Sequence, residues 1–226
     1  MNTCDTEFER QGFVVVPDLI DNATCAEVAC TLEKRHLAGA GTRKLLDEPW
    51  CVALATELKR SSALRPLLPQ DSVATQCTLF EKSPKSNWLV ALHQDLSIPV
   101  KSRVASFACS GWSEKEGALF VQPPTELLEQ LVAVRLHIDP CPPQSGPLRV
   151  VPGSHRFGRL LQTQYQAIRM QFGERLVPAS RRAALLLRPL LLHASSKLEG
   201  GSSRRILHFL FGPQTLPEGL TWQHAI

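Results

Sequence analysis

The sequence predicts a mainly β fold with peripheral α-helices, a sandwich or jelly roll, and three observations carry that expectation. After Ser72 the chain breaks into short runs rich in β-branched and aliphatic residues, separated by Pro, Gly and Ser. Before Ser72 two stretches place apolar residues at helical spacing. No repeat of fixed period and no segment of low complexity is visible.

In chain order, Gly12 to Pro17 (GFVVVP) reads as a short buried strand. Asp21-Asn22 then opens a helix over Ala23 to His36, and a second helix is expected from Trp50 to Ser61, closed off by Pro66 and Pro69. Strands follow over Val73 to Glu81, Leu89 to Leu92, Leu131 to Asp139, Leu148 to Val151, Ala183 to Leu187 and Arg205 to Phe211. Two helical pieces interrupt them, Thr125 to Gln130 after Pro-Pro and Gln162 to Phe172 after Gly158.

At 226 residues and 43% hydrophobic, the chain has material for one good core, so a single domain over 1–226 is expected, helical over about 1–70 and jelly-roll over about 71–215. The excess of 25 Lys and Arg over 21 Asp and Glu is small and scattered, which argues against nucleic acid. The best apolar run, Leu185 to Leu192, is interrupted by Arg188 and falls short of a membrane span. Asp5, Glu7 and Glu9 precede any apolar stretch, the wrong order and sign for a secretory signal, so a cytoplasmic protein is expected. The seven cysteines form no C-x-x-C pair and read as reduced, mostly buried residues. No obligate protein partner is indicated.

Residues two apart in a strand point the same way, so His-x-Asp sets an imidazole beside a carboxylate. Two imidazoles and one carboxylate on one face of an ion are the ligand set of non-haem Fe(II) oxygenases. The spacing occurs twice, at His93-Gln94-Asp95 and His137-Ile138-Asp139, and spacing alone does not separate them. The commoner use of such a pair is a strand-end His and a turn Asp satisfying backbone groups. His137 and Asp139 share one face with Arg135 in an alternating run that ends at Pro140, which looks like a strand entering a turn.

A third ligand should come from a strand alongside. His193 ends the apolar run Leu190-Leu191-Leu192 and meets the polar Ala194-Ser195-Ser196. Eleven positions on, Arg204 shares a strand face with Ile206 and His208, whereas Arg205, Leu207 and Phe209 share the other. Only one arginine of the pair can look inward. A planar guanidinium there suits the far carboxylate of a dicarboxylate chelated to a metal.

Taken together these residues resemble the phytanoyl-CoA dioxygenase family over nearly the whole chain. The pieces fall in family order: Gly12-Phe13-Val14-Val15-Val16 followed by a helix, His93-Gln94-Asp95, Ser145-Gly146-Pro147-Leu148 running into Pro152-Gly153-Ser154-His155, then His193-Ala194-Ser195 and Arg204. The resemblance implies a double-stranded β-helix (a cupin-like jelly roll) with His93, Asp95 and His193 as ligands of Fe(II). It implies 2-oxoglutarate and O2 as co-substrates and hydroxylation of a small molecule at a C–H bond. By the same resemblance Arg204 grips the distal carboxylate of 2-oxoglutarate, Ser195 assists, and Trp112 covers the co-substrate. Asn87 and Lys82 are expected at the same pocket, and Arg135 and His137 at the substrate, while His155 is structural.

Relatives that halogenate replace the carboxylate ligand, so Asp95 favours hydroxylation. Two departures stand out: Leu198 lies where the family often has Asn, and the family's long substrate lid is partly absent or replaced by Lys101 to Pro124. A cupin-like metal-dependent isomerase or lyase, which has no call for Arg204, and a non-catalytic binding protein on the same scaffold are the competing readings.

Overall fold

The computed structural model describes residues 3–35, 41–199 and 203–226, with side chains from residue 6 onward. It is built from antiparallel sheets with helices on one face. The six-stranded main sheet has the order β1-β11-β8-β13-β3-β2. Its strands are β1 (Phe13–Val16), β2 (Gly41–Thr42), β3 (Val73–Lys82), β8 (Val132–His137), β11 (Ala184–Leu187) and β13 (Arg204–Gly212). A four-stranded sheet, β10-β9-β12-β4, joins β4 (Val90–His93), β9 (Leu148–Val150), β10 (Arg175–Val177) and β12 (His193–Ser195). A third sheet, β5-β7-β6, is made by β5 (Ile98–Val100), β6 (Ser110–Lys115) and β7 (Ala118–Gln122).

Alternation along the main sheet sorts its side chains into two cores. Val132, Val134 and Leu136 of β8 and Leu207, Phe209 and Phe211 of β13 pack with Cys25, Val28 and Leu32 of α2 (Asn22–Glu33) and Cys51, Leu54 and Leu58 of α3 (Pro49–Arg60). On the other face Ala133, Leu185, Leu187 and Leu210 meet Leu148 and Val150 of the four-stranded sheet and Ile98 and Val121 of the third. Each large side chain so buried contributes roughly 1.5–3 kcal/mol. That second face also carries polar residues, and they form the site.

The helices begin where their caps dictate. Asp21 accepts from Thr24 N at 2.7 Å to start α2, and Pro49 takes the first position of α3. The expected end of the first helix, His36, lies outside the described residues. α1 (Thr3–Gln11) precedes β1, and Gly12 between them has φ +80°. A Cβ there would stand 2.3 Å from His155 Nδ1, so the turn requires glycine. α4 (Thr125–Glu129) and α5 (Tyr165–Phe172) fall where expected.

β1 is the strand expected at Gly12 to Pro17, and β1 and β2 lie on the two edges of the main sheet. Within Lys101 to Pro124 the chain forms the β-hairpin β6-β7, and β7 also pairs with β5. One expectation needs correction: Asp139 does not share a face with Arg135. The chain leaves the ladder after His137, with Ile138 N and Asp139 N both directed at Arg205 O. Asp139 thereby turns to the helix side and accepts from Arg205 Nε and Nη2, both at 2.8 Å.

Candidate active site

The site lies where the main sheet faces β4 and β12. His193 and His93 are direct cross-strand partners on these two strands. His193 Nδ1 lies 2.8 Å from Leu191 O, and His93 Nδ1 lies 2.8 Å from Ala91 O. A ring nitrogen facing a carbonyl must carry the proton, which leaves each Nε2 with its lone pair free. Both face Asp95, His93 Nε2 at 3.5 Å from Oδ1 and His193 Nε2 at 3.6 Å from Oδ2. Donors about 2.1 Å from one ion and at right angles stand ~3 Å apart. The ligand atoms of all three residues lie within 4.8 Å of one another.

Charge in this cluster is shared rather than cancelled. Burial opposes ionisation of Asp95, but His193 and His93 outweigh it and hold the carboxyl well below the usual range. Burial pulls His193 down to about 4, against the attraction of Asp95. For His93 burial acts in the same sense, and the bond and charge of Asp95 more than reverse it, so its pKa is raised. An anionic carboxylate beside two imidazoles is a divalent-metal donor set, and its two nitrogens and one oxygen fit Fe(II).

Gln94, between the two motif residues, is the clamp that holds Asp95 in place. Its Nε2 donates to Gly158 O at 2.8 Å and Leu190 O at 2.6 Å, and its Oε1 accepts from Leu160 N at 2.9 Å. Asp95 N donates to Pro189 O. The sequence assigned Gln94 no role, because a lone glutamine between two ligands carries no signal of its own.

A cavity of about 420 Å³ opens beside His93, Asp95 and His193, and Arg204 on β13 and Lys82 on β3 line it together. These two are ladder partners. Arg204 is buried and its Nη1 donates to Gly146 O at 2.6 Å, Ser145 O at 3.1 Å and Cys141 Sγ at 3.2 Å, while Nε has no partner. Lys82 Nζ donates to Ser195 Oγ at 3.1 Å and Ser196 O at 2.6 Å. Burial, then repulsion by Arg204 and Arg135, lowers the Lys82 pKa to about 8. Asp95 is the one acidic residue among the described residues that line the cavity.

The sequence matches the family model described as phytanoyl-CoA dioxygenase over residues 8–206. The chain belongs to the phytanoyl-CoA dioxygenase family. No curated protein matches it in sequence. Among solved structures it is similar in fold to the apoform of EctD from S. alaskensis (TM-score 0.71, 16% identity, 92% of this chain and 75% of that one). HygX from Streptomyces hygroscopicus, solved with nickel and 2-oxoglutarate bound, matches with TM-score 0.66 and 17% identity over 96% of this chain and 89% of that one. The non-heme alpha ketoglutarate dependent epimerase SnoN from nogalamycin biosynthesis gives 0.68 and 16% over 94% and 82%.

Within this family member, the remaining residues singled out from sequence divide into two groups. Ser195 and Arg135 line the cavity. His137 points to the same side of β8 as Arg135 but is fully covered, with neither ring nitrogen partnered. Burial first, then Arg135 and Arg204, pushes its pKa to about 3. Trp112 lies away from the cavity wall, packed partly into the core beside the third sheet with Arg103 over its ring at 5.3 Å. The aromatic walls come instead from Phe80, Trp88 and Phe120. Asn87 is likewise elsewhere: its Nδ2 donates to Leu198 O and its Oδ1 accepts from Leu198 N, both at 2.8 Å. It braces the segment that follows Ser195. No helix among the described residues is long and apolar enough to cross a membrane.

Proposed function

We propose that the protein uses Fe(II), 2-oxoglutarate and O2 to hydroxylate a small organic molecule at a C–H bond, giving the alcohol, succinate and CO2. The observation that carries this reading is a single cavity with the His93, Asp95 and His193 donor set on one side and buried, carboxylate-free Arg204 and Lys82 on another. A metal site alone would suit a cupin-like isomerase. A second seat for an anion, close to the metal, suits a chelated dicarboxylate.

His93, Asp95 and His193 would hold the iron, and Arg204 with Lys82 and Ser195 would hold the distal carboxylate of 2-oxoglutarate. Bound together, iron and 2-oxoglutarate supply the oxidising power that replaces a C–H bond by C–OH. The protein's own part is positioning. The Leu191 and Ala91 carbonyls fix the tautomers of the ligand histidines, Gln94 clamps the loop that carries Asp95, and Phe80, Trp88, Ile98 and Phe120 give the cavity an apolar wall. No side-chain acid or base is required. The related folds include an epimerase and a carbocyclase by their descriptions. Retention of Asp95, which leaves no gap for a halide, supports hydroxylation here.

Anaerobic titration with Fe(II) and 2-oxoglutarate tests the assignment through the weak visible charge-transfer band of a chelated keto acid. The band should form in wild type and in His137→Ala, vanish in His93→Ala, and need at least about tenfold more keto acid in Arg204→Ala. Absence of the band in wild type would return the cupin-like reading.

A further inference from the structure

Arg135 is a cation for which the co-substrate grip has no use. It sits on β8 opposite His208 of β13, whereas Lys82 sits opposite Arg204. His208 is four residues from Arg204 on one strand, a separation of ~13 Å between their backbones. Phe80 and Ile206 occupy the rung between them. The two guanidiniums are tied at opposite ends: Arg204 by the Ser145 and Gly146 carbonyls, Arg135 by Nη1 donating to His208 Nδ1 at 3.1 Å.

The rest of Arg135 is poised for a ligand. Its Nε is buried without a partner, its guanidinium lies 5.3 Å from the Phe80 ring centroid, and the described residues give it no carboxylate. Because His208 accepts from Arg135 at Nδ1, its proton resides on Nε2, and both residues line the cavity. Burial, then Arg135, holds His208 neutral with a pKa of about 3. Lys115 also lines the cavity, its ammonium over the Phe120 ring and, among the described residues, in no ion pair, whereas Arg43 is paired with Glu116 at 2.9 Å. A metal dication, one dicarboxylate, Asp95, Arg204 and Lys82 together leave a net charge of about +1, so the filled metal and co-substrate sites hold no spare anion for a further cation. Arg135 and Lys115 remain uncompensated, and a buried guanidinium is costly until an anion pairs with it.

We infer that Arg135 and His208 form a second anion seat that receives a carboxylate of the substrate, making the substrate a small organic acid. This rests on the iron and 2-oxoglutarate reading, since that reading assigns Arg204 and Lys82 to the co-substrate. The planar guanidinium of Arg135, held in place by His208 Nδ1, suits a carboxylate's oxygens and offers nothing to the matching amide's NH2 group.

The test compares hexanoate with hexanamide as probes, in wild type, Arg135→Gln and Arg135→Lys, with 2-oxoglutarate in excess to fill the Arg204 end. In the anaerobic Fe(II) complex hexanoate should perturb the charge-transfer band at a concentration at least about tenfold lower than hexanamide. Arg135→Gln should erase that preference without changing the 2-oxoglutarate titration, and Arg135→Lys should keep part of it. Equal response to acid and amide in wild type overturns the proposal. So does a large rise in the 2-oxoglutarate requirement of Arg135→Gln, which would assign this arginine to the co-substrate. If wild type gives no band, the functional reading has failed on its own. Calorimetry of hexanoate on metal-free protein then decides the seat: weaker binding in Arg135→Gln supports it, and equal binding overturns it.

Discussion

His93 and His193 face each other across the β4–β12 ladder with ring centroids 4.2 Å apart, and each is turned by the same device, a bond from Nδ1 to the carbonyl two residues earlier. The strand itself thus fixes both tautomers, and no carboxylate is spent on orienting them. Removing either imidazole leaves two donors. Anaerobic calorimetry with Fe(II) should show affinity lower by at least about 100-fold in His93→Ala and in His193→Ala, since even loss of an orienting neighbour costs 10–100-fold. His137→Ala should bind as wild type does; a comparable loss there would move the metal to the second His-x-Asp pair.

Gln94 satisfies three backbone groups at once, the carbonyls of Gly158 and Leu190 and the amide of Leu160. Gln94→Ala leaves them unpaired in a buried place, at a cost of roughly 3 kcal/mol. For a chain of this length that lowers the melting temperature by about 6–12 °C. Metal affinity should fall as well, by ~10-fold or more, because Asp95 loses its brace. A variant as stable as wild type would show that water replaces the amide.

The elements read correctly from sequence were those whose patterns physics enforces locally. Val14 and Val16, Val132 to Leu136 and Leu207 to Phe211 alternate because one sheet face meets helices, and alternation of that kind is visible without a structure. The hairpin β6-β7 was not legible: Ser110 to Lys115 is half-exposed and polar, and its pairing depends on Ala118 to Gln122 rather than on its own composition. Trp112 was expected over the co-substrate from the family resemblance. Its position depends on the register shift between Ser110 and Ser113, which no spacing reveals. Asn87 was misread because its partner, the backbone of Leu198, is 111 residues away. It also supplies side-chain bonds to the chain at the position where the family often has Asn. Asp139 was misread because strand alternation was carried two residues past the end of the ladder at His137.

Gly146 ties the fold to the site. It has φ +62°, its carbonyl accepts from Arg204, and a Cβ on it would stand 2.5 Å from Ser196 O and 2.9 Å from Lys197 O. Both neighbours are backbone, and Ser196 O also accepts from Lys82. Gly146→Ala should therefore cost about 2 kcal/mol in denaturant unfolding. It should also raise the 2-oxoglutarate requirement by at least about tenfold through displacement of Arg204 and Lys82. Lost stability with unchanged keto acid binding would detach this turn from the co-substrate seat.

Lys82 gives the site a pH dependence whose two readouts run in opposite directions. Its pKa is about 8 rather than 10.5, first because it is buried, then because Arg204 and Arg135 repel it, with Cys141 opposing weakly. Ser195 Oγ and Ser196 O accept from its ammonium, and the Trp88 ring lies 5.2 Å away. Because the folded pKa lies below the unfolded one, the unfolded chain binds more protons between pH 8 and 10.5, and stability rises with pH in that window. Relative to Lys82→Met, wild type should gain about 2–3 kcal/mol across it in denaturant melts. Keto acid binding should do the reverse. From pH 7 to 9.5 the ammonium is lost from the free protein, so 2-oxoglutarate affinity should fall by roughly tenfold, while Lys82→Met binds more weakly at pH 7 and shows a flat profile. A wild-type affinity that does not fall with pH would remove Lys82 from the co-substrate grip and leave Arg204 to hold the distal carboxylate with Ser195 alone.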